Sequence, residues 1–206
     1  MSSLSMDKAK GLVTPCFKGK PSPNVYVNRL RGHLEYIIIH YTVGLDFRGV
    51  VDFFMTPKQT SAHFVVDRRG AIEQLVSLND AAWHAGRSYW EGHSGLNSCS
   101  AGIEIVNAGY VKKTPNGSYH NELNQAVAAE DVLEATHKHE HTKRLWMRYP
   151  DVQIAAVLDL CRFIKQHYPG IKDVLGHDDI AQGRKLDPGP LFPLADLRSK
   201  LFETNP

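Results

Sequence analysis

At 206 residues, 42% of them hydrophobic and 22% charged, the chain is most simply one soluble domain with room for a proper core. The net charge of +2 is too small, and the charges too scattered, for a nucleic-acid surface, although a mildly basic face suits an anionic polymer. No apolar run approaches the roughly 18 residues of a membrane span, so no transmembrane segment is expected.

Residues 1–31 are polar and broken by Pro15, Pro21 and Pro23. They read as an irregular arm packed on a domain that runs from 32 to 203, with a short strand over 24–27. The opening MSSLSMDKAKGLVTPCFKGK has lysines but no continuous apolar core of roughly 7–15 residues, so a secretory signal is not expected. Val13-Thr14-Pro15 ahead of Cys16 does not resemble a lipoprotein signal either. The expected location is the cytoplasm, or outside it by a route such as lysis or effector delivery. Cys16, Cys99 and Cys161 are odd in number, widely spaced and outside any C-x-x-C pattern, as expected of structural or incidental thiols.

The first strong strand covers 34–41. Three consecutive isoleucines in EYIIIHYT fit a strand buried on both faces, and His40 comes just after them. The apolar spacing of Phe47, Val50, Val51, Phe54 and Met55 predicts a helix over Phe47–Met55 that stops before Pro57. Residues 62–67 and 71–76 read as two strands around Arg68-Arg69-Gly70, with His63 a packed strand histidine. The segment AWHAGRSYW (82–90) gathers three aromatics, a histidine and an arginine, and reads as a loop lining a cleft on which a sugar or peptide can lie.

AGIEIVN (101–107) reads as a strand carrying Glu104 between Ile103 and Ile105. Residues 109–120 read as a polar loop turning at Pro115-Asn116-Gly117. The stretch 121–148 is ambiguous: 122–134 suits a helix, and 132–138 equally suits a strand. His137, His139 and His141 alternate among lysines and glutamates, which reads as a solvated surface rather than a metal-binding tract. Asp151–His167 is an amphipathic helix opened by Pro150 and closed by Pro169-Gly170. Leu194–Phe202 is a short closing helix.

The chain's chemistry concentrates in GHDDIAQGRKLDPGP (176–190). His177 follows a short buried strand, DVLG. Ten residues on, Asp187 precedes Pro188-Gly189-Pro190, a backbone forced into a stiff turn. A histidine at a strand end and a carboxylate on a rigid loop can converge on one metal ion. A catalytic zinc usually takes three protein ligands and keeps one open position. Ligands of α/β sheets collect outside the carboxyl ends of strands, which makes His40 the third ligand. Asp178 and Asp179 stand as alternatives to Asp187.

IIIHYT, SAHFVVDRRGAIEQLV, AWHAGRSYW, AGIEIVNAG and GHDDIAQGRKLDPGP follow one another in this order across residues 34–193. Together they resemble the zinc-dependent N-acetylmuramoyl-L-alanine amidases of the type 2 amidase/peptidoglycan-recognition-protein family. The resemblance implies a single α/β domain, a central mixed β-sheet flanked by helices, with one zinc ion at the carboxyl ends of the strands. It implies a peptidoglycan or muropeptide substrate, cut at the amide between the lactyl group of N-acetylmuramic acid and L-alanine. It makes Glu104 the catalytic base and Lys185 the cation at the oxyanion, places His84 beside the metal, and leaves Trp83, Arg87 and Trp90 with His84 as substrate-binding residues. The AGIEIVN block and the RSYW loop look more like the broad-specificity members than the dedicated cytoplasmic recycling enzymes. The rival expectations are a peptidoglycan-binding module of the same fold without catalysis, against which all the ligands, the glutamate and the lysine are present, and a zinc hydrolase acting on another amide.

Overall fold

The computed structural model describes residues 4–30, 33–57 and 60–203. Its centre is a five-stranded sheet in the order Asp173–Gly176, Tyr36–Tyr41, Ser100–Ile105, Phe64–Val66, Ile72–Gln74. The first four strands are parallel and the last is antiparallel, so the sheet is mixed. Ile37, Ile38 and Ile39 are fully buried, because apolar layers cover both faces; the unbroken isoleucine run follows from that double burial.

On one face, Ile37, Ile39, Phe64, Val66, Ile103 and Ile105 pack against the helix α2 (Asp151–His167) through Ala156, Val157, Leu160, Cys161 and Ile164. Each such large aliphatic side chain contributes about 1.5–3 kcal/mol by leaving water. The helix Leu194–Phe202 closes the same layer with Leu197. On the other face, the helix α1 (Phe47–Met55) buries Val50, Val51 and Phe54 against Val65, Leu75, Val76 and Val106. Asp46 starts this helix by accepting a hydrogen bond on Oδ2 from the Gly49 N–H at 2.8 Å. No helix among the described residues is long and apolar enough to cross a membrane.

The amino-terminal segment adds Val13, Cys16 and Leu30 to the α2-side core. Gln74 holds it: the Val13 N–H donates to Oε1 at 2.7 Å, and Nε2 donates to the Gly11 carbonyl at 2.9 Å. Val25–Tyr26 pairs with Ala81–Ala82. The boundary expected between 31 and 32 lies outside the described residues.

Two expectations need correction. Residues 109–120 are not a polar loop: they form the strands Tyr110–Lys113 and Tyr119–His120. These belong to a second sheet, antiparallel throughout, in the order Ala126–Val127, Tyr119–His120, Tyr110–Lys113, Lys143–Met147, Val132–Thr136. Of the two forms open for 122–138, the strand is the one adopted, over Val132–Thr136, preceded by a single 3₁₀ turn at Ala129–Asp131. The sheet's apolar side is assembled from Val111, Val127 and Met147, residues far apart in sequence, so no local periodicity announces it. His137 departs from the solvated face expected of it. It is 1% exposed and stacks on Trp146 with centroids 5.9 Å apart.

Candidate metal centre

Because the strands Tyr36–Tyr41, Ser100–Ile105 and Asp173–Gly176 are parallel neighbours, their carboxyl ends share one edge of the sheet. His40 and Glu104 lie directly opposite each other in register, and Gly176 opposite Ile39. His177 begins a single helical turn, His177–Ile180, immediately after its strand. A Cβ on Gly176 would sit 2.8 Å from Pro188 Cδ, so glycine there lets the following loop cross the strand end closely.

That loop is pinned at several points. The Asp178 N–H donates to the Asp187 carbonyl at 2.8 Å, and Tyr149 Oη donates to the Pro188 carbonyl at 2.8 Å. The Gly176 N–H donates to Asp179 Oδ2 at 2.8 Å. The Asp187–Pro188 peptide is cis. The hydrogen bonds that pin the loop hold the Asp187 carboxylate against the two histidines.

His40 Nδ1, His177 Nδ1 and Asp187 Oδ2 form a triangle with every side 2.9 Å. All three residues are buried, and among the described residues theirs is the group of histidine, cysteine and carboxylate side chains able to hold a metal ion. The donor set fits zinc. His177 Nε2 donates to the Ala85 carbonyl at 3.1 Å, which leaves a lone pair on Nδ1 facing Asp187. A lone pair and a carboxylate oxygen at 2.9 Å are two acceptors, and a cation reconciles them. Tetrahedral zinc with bonds of about 2.0–2.1 Å separates its ligand atoms by roughly 3.3 Å, close to this triangle.

The electrostatics agree with a cation site. Burial, with His177 beside it, pushes His40 down to about 4, so the ring is neutral near pH 7. Burial would raise the Asp187 carboxyl, but the two adjoining imidazoles outweigh it and hold it well below the usual carboxylate range. Glu104 behaves in the opposite way. Burial first, then the Asp187 charge, raise it well above the ordinary glutamate value. Its Oε2 has no hydrogen-bond partner among the described residues. The Lys185 ammonium is near enough to pull both Glu104 and His40 downward.

Asp178 and Asp179 turn elsewhere. Asp178 Oδ2 accepts from His137 Nε2 at 2.8 Å, and Lys138 Nζ lies 2.9 Å from Asp178 Oδ1 and 2.7 Å from Asp179 Oδ1. His84 is buried behind His40, with Nδ1 3.0 Å from His40 Nε2. Trp83, Arg87 and Trp90 do not share one surface. Trp83 packs near Tyr26, centroids 5.2 Å apart, beside a cavity of about 380 Å³ with Gly86 and Asn97. Arg87 and Trp90 line a separate cavity of about 870 Å³ with Tyr89, Gln182 and Arg184. Arg184 ties the two loops by donating to the Ala85 carbonyl at 3.0 Å and the Arg87 carbonyl at 2.6 Å.

The sequence reasoning missed Ser100, Tyr149 and the His137–Asp178 pair. Only the adjacency of Asp178 to His177 hinted at the last. It also missed a cleft of about 530 Å³ that opens where the His40 strand ends, lined by Thr42, Val43, Phe53, Glu122 and Leu123. Leu123 is 60% exposed there, an apolar side chain that polar composition alone did not single out.

A family model described as N-acetylmuramoyl-L-alanine amidase matches residues 30–190. The chain is 31% identical over 172 residues to the N-acetylmuramoyl-L-alanine amidase AmiD of Escherichia coli, covering 80% of this chain and 52% of the relative. It therefore spans about half the length of that protein. It is 30% identical over 214 residues to the 1,6-anhydro-N-acetylmuramyl-L-alanine amidase AmpD of Haemophilus influenzae, covering 90% of this chain and 92% of the relative. The solved structure of the complex of E. coli AmiD with the substrate anhydro-N-acetylmuramic acid-L-Ala-D-γ-Glu-L-Lys superimposes with a TM-score of 0.60 at 28% identity, covering 96% of this chain and 65% of that one.

Proposed function

Because the chain belongs to the N-acetylmuramoyl-L-alanine amidase family, we propose that it is a zinc amidase cleaving the bond between N-acetylmuramic acid and L-alanine in peptidoglycan or muropeptides. The observation that carries this is the convergence of His40 Nδ1, His177 Nδ1 and Asp187 Oδ2 on one point, with the unpaired carboxylate of Glu104 in register beside them. In this proposal residues 32–203 are the catalytic unit and 1–31 an arm upon it.

His40, His177 and Asp187 would hold one zinc ion, which would supply a water acidic enough to attack near neutral pH and a Lewis acid for the scissile carbonyl. Glu104 takes the proton of the attacking water and returns it to the alanine nitrogen as the bond breaks. A carboxyl group raised by burial suits both halves of that task. Lys185, carried by the same stiff loop as Asp187, stabilises the negative charge that develops on the carbonyl oxygen. The clefts at Thr42–Leu123 and at Arg87–Arg184 offer room for the glycan and the stem peptide.

A purely binding module is disfavoured by Glu104. A buried carboxyl group with an unpartnered oxygen costs a fold stability, and a proton-transfer role beside the metal accounts for that cost. The test is digestion of purified sacculi and of soluble anhydro-muropeptides, read by mass spectrometry. Release of free stem peptides supports the amidase, and the faster substrate names the preferred one. Retained binding to sacculi without release of peptide points to the module.

A further inference from the structure

We infer that His84, acting through Ser100, is a positioning residue that fixes which nitrogen of His40 carries a proton and so aims the other at the metal. The inference rests on the metal-site part of the proposal above and is independent of which amide is cut.

A hydrogen-bonded chain runs from the Leu96 carbonyl through Ser100 and His84 to His40. The Leu96 carbonyl can only accept, and Ser100 Oγ lies 2.6 Å from it, so the hydroxyl proton points there. Ser100 Oγ then offers a lone pair to His84 Nε2 at 3.2 Å, and His84 must donate from that nitrogen. A neutral imidazole has one N–H, so His84 Nδ1 is an acceptor. Its partner at 3.0 Å is His40 Nε2, which therefore carries the proton. The lone pair of His40 is left on Nδ1, the atom 2.9 Å from both His177 Nδ1 and Asp187 Oδ2. Reversing the chain would turn the Ser100 proton toward His84 and leave two acceptor oxygens, Ser100 Oγ and the Leu96 carbonyl, facing each other at 2.6 Å with no proton between them.

His177 reaches the same pattern by a shorter route, since its Nε2 donates directly to the Ala85 carbonyl. Each ligand histidine thus ends its chain on a main-chain carbonyl, Leu96 for one and Ala85 for the other. The His84 ring is held to this duty by its surroundings. A Cβ on Gly102 would lie 2.5 Å from the ring, so the ring rests directly on the central strand. His63 and His40 meet it edge-on, at centroid distances of 5.8 Å and 5.2 Å. Asn97 Oδ1 accepts from the main-chain N–H groups of His84 and Ala85 at 3.1 Å and 2.7 Å, which fixes the loop that carries the ring. His84 is thereby placed behind the ligand, on the side away from Asp187, rather than in contact with substrate.

Partners of this kind typically set metal affinity by about 10–100-fold. The test uses the folded, zinc-loaded protein. Competition with a zinc chelator should show His84→Leu weakened by about 10–100-fold and His84→Gln largely restored, because a glutamine amide supplies both an acceptor and a donor. Ser100→Ala removes only the terminal hydroxyl and should weaken zinc binding in the same direction; it serves where His84→Leu does not fold. Long-range proton–nitrogen NMR of the wild-type protein should find His84 neutral and protonated on Nε2. Unchanged zinc affinity in folded His84→Leu or in Ser100→Ala overturns the inference, as does a proton on His84 Nδ1. A protein that behaves as expected in these tests yet releases no peptide leaves the relay standing and removes the amidase.

Discussion

Glu104 and His40 sit directly across from one another on adjacent parallel strands, so a carboxylate and a metal-ligand candidate leave the sheet side by side. The register that packs the isoleucine core also sets the distance between them. Glu104 sits among fully buried neighbours, and that burial raises its proton affinity.

Glu104→Gln keeps the shape and removes the base. Zinc content should be unchanged and turnover should fall by about 10²–10⁴-fold, the usual worth of a positioned general base. Metal analysis with a peptide-release assay reads both. An unchanged rate would take Glu104 out of the reaction.

Lys185→Met should lower turnover by about 10²-fold while KM changes little, since its charge is needed only as the oxyanion forms. A loss confined to KM would reassign the lysine to substrate binding.

The hairpin 132–147 is fastened to the metal loop through Asp178. His137 Nε2 donates to its Oδ2 at 2.8 Å, and Lys138 pairs with its Oδ1 at 2.9 Å. Asp178→Ala leaves a buried N–H without a partner, which costs about 1–3 kcal/mol. Chemical denaturation should show the loss, and amides of 132–147 should exchange faster. Wild-type stability in that variant would contradict the clamp.

His63 links stability to acidity. Burial pushes it down to about 4 from 6.5, and its ring accepts from the Gly102 N–H and donates to the Asp80 carbonyl. The folded state holds it neutral while the unfolded chain protonates it. Its contribution is therefore complete above pH 6.5 and is lost as pH falls toward about 4. The shift corresponds to roughly 3 kcal/mol. The stability gap between wild type and His63→Asn, measured by urea denaturation with a chelator present, should narrow by about that amount from pH 7 to pH 4. A constant gap would show that His63 does not titrate on unfolding.

The elements that carry the site were legible because each has a local signature. Three isoleucines mark a doubly buried strand, the spacing of Val157, Leu160, Cys161 and Ile164 marks α2, and Pro188-Gly189-Pro190 marks the stiff loop. What was not legible is made by contacts across the chain. The second sheet pairs Tyr110 with Trp146, and its strands are too short and polar for alternation to show. His137 reads as surface from its charged neighbours and is buried because Trp146 and Asp178 enclose it. His84 was noticed, but its direction depends on Ser100, sixteen positions away.

The central claim is that one ion held by His40, His177 and Asp187 is required for amide cleavage. The direct measurement strips the protein with a chelator and titrates zinc back against a defined muramoyl-L-alanyl peptide, recording bound metal and released peptide together. Activity should rise linearly to one equivalent of zinc and then level off, and Asp187→Ala should neither hold the ion nor cut. Full activity in the stripped protein, or a zinc-loaded Asp187→Ala that still cleaves, would contradict the account.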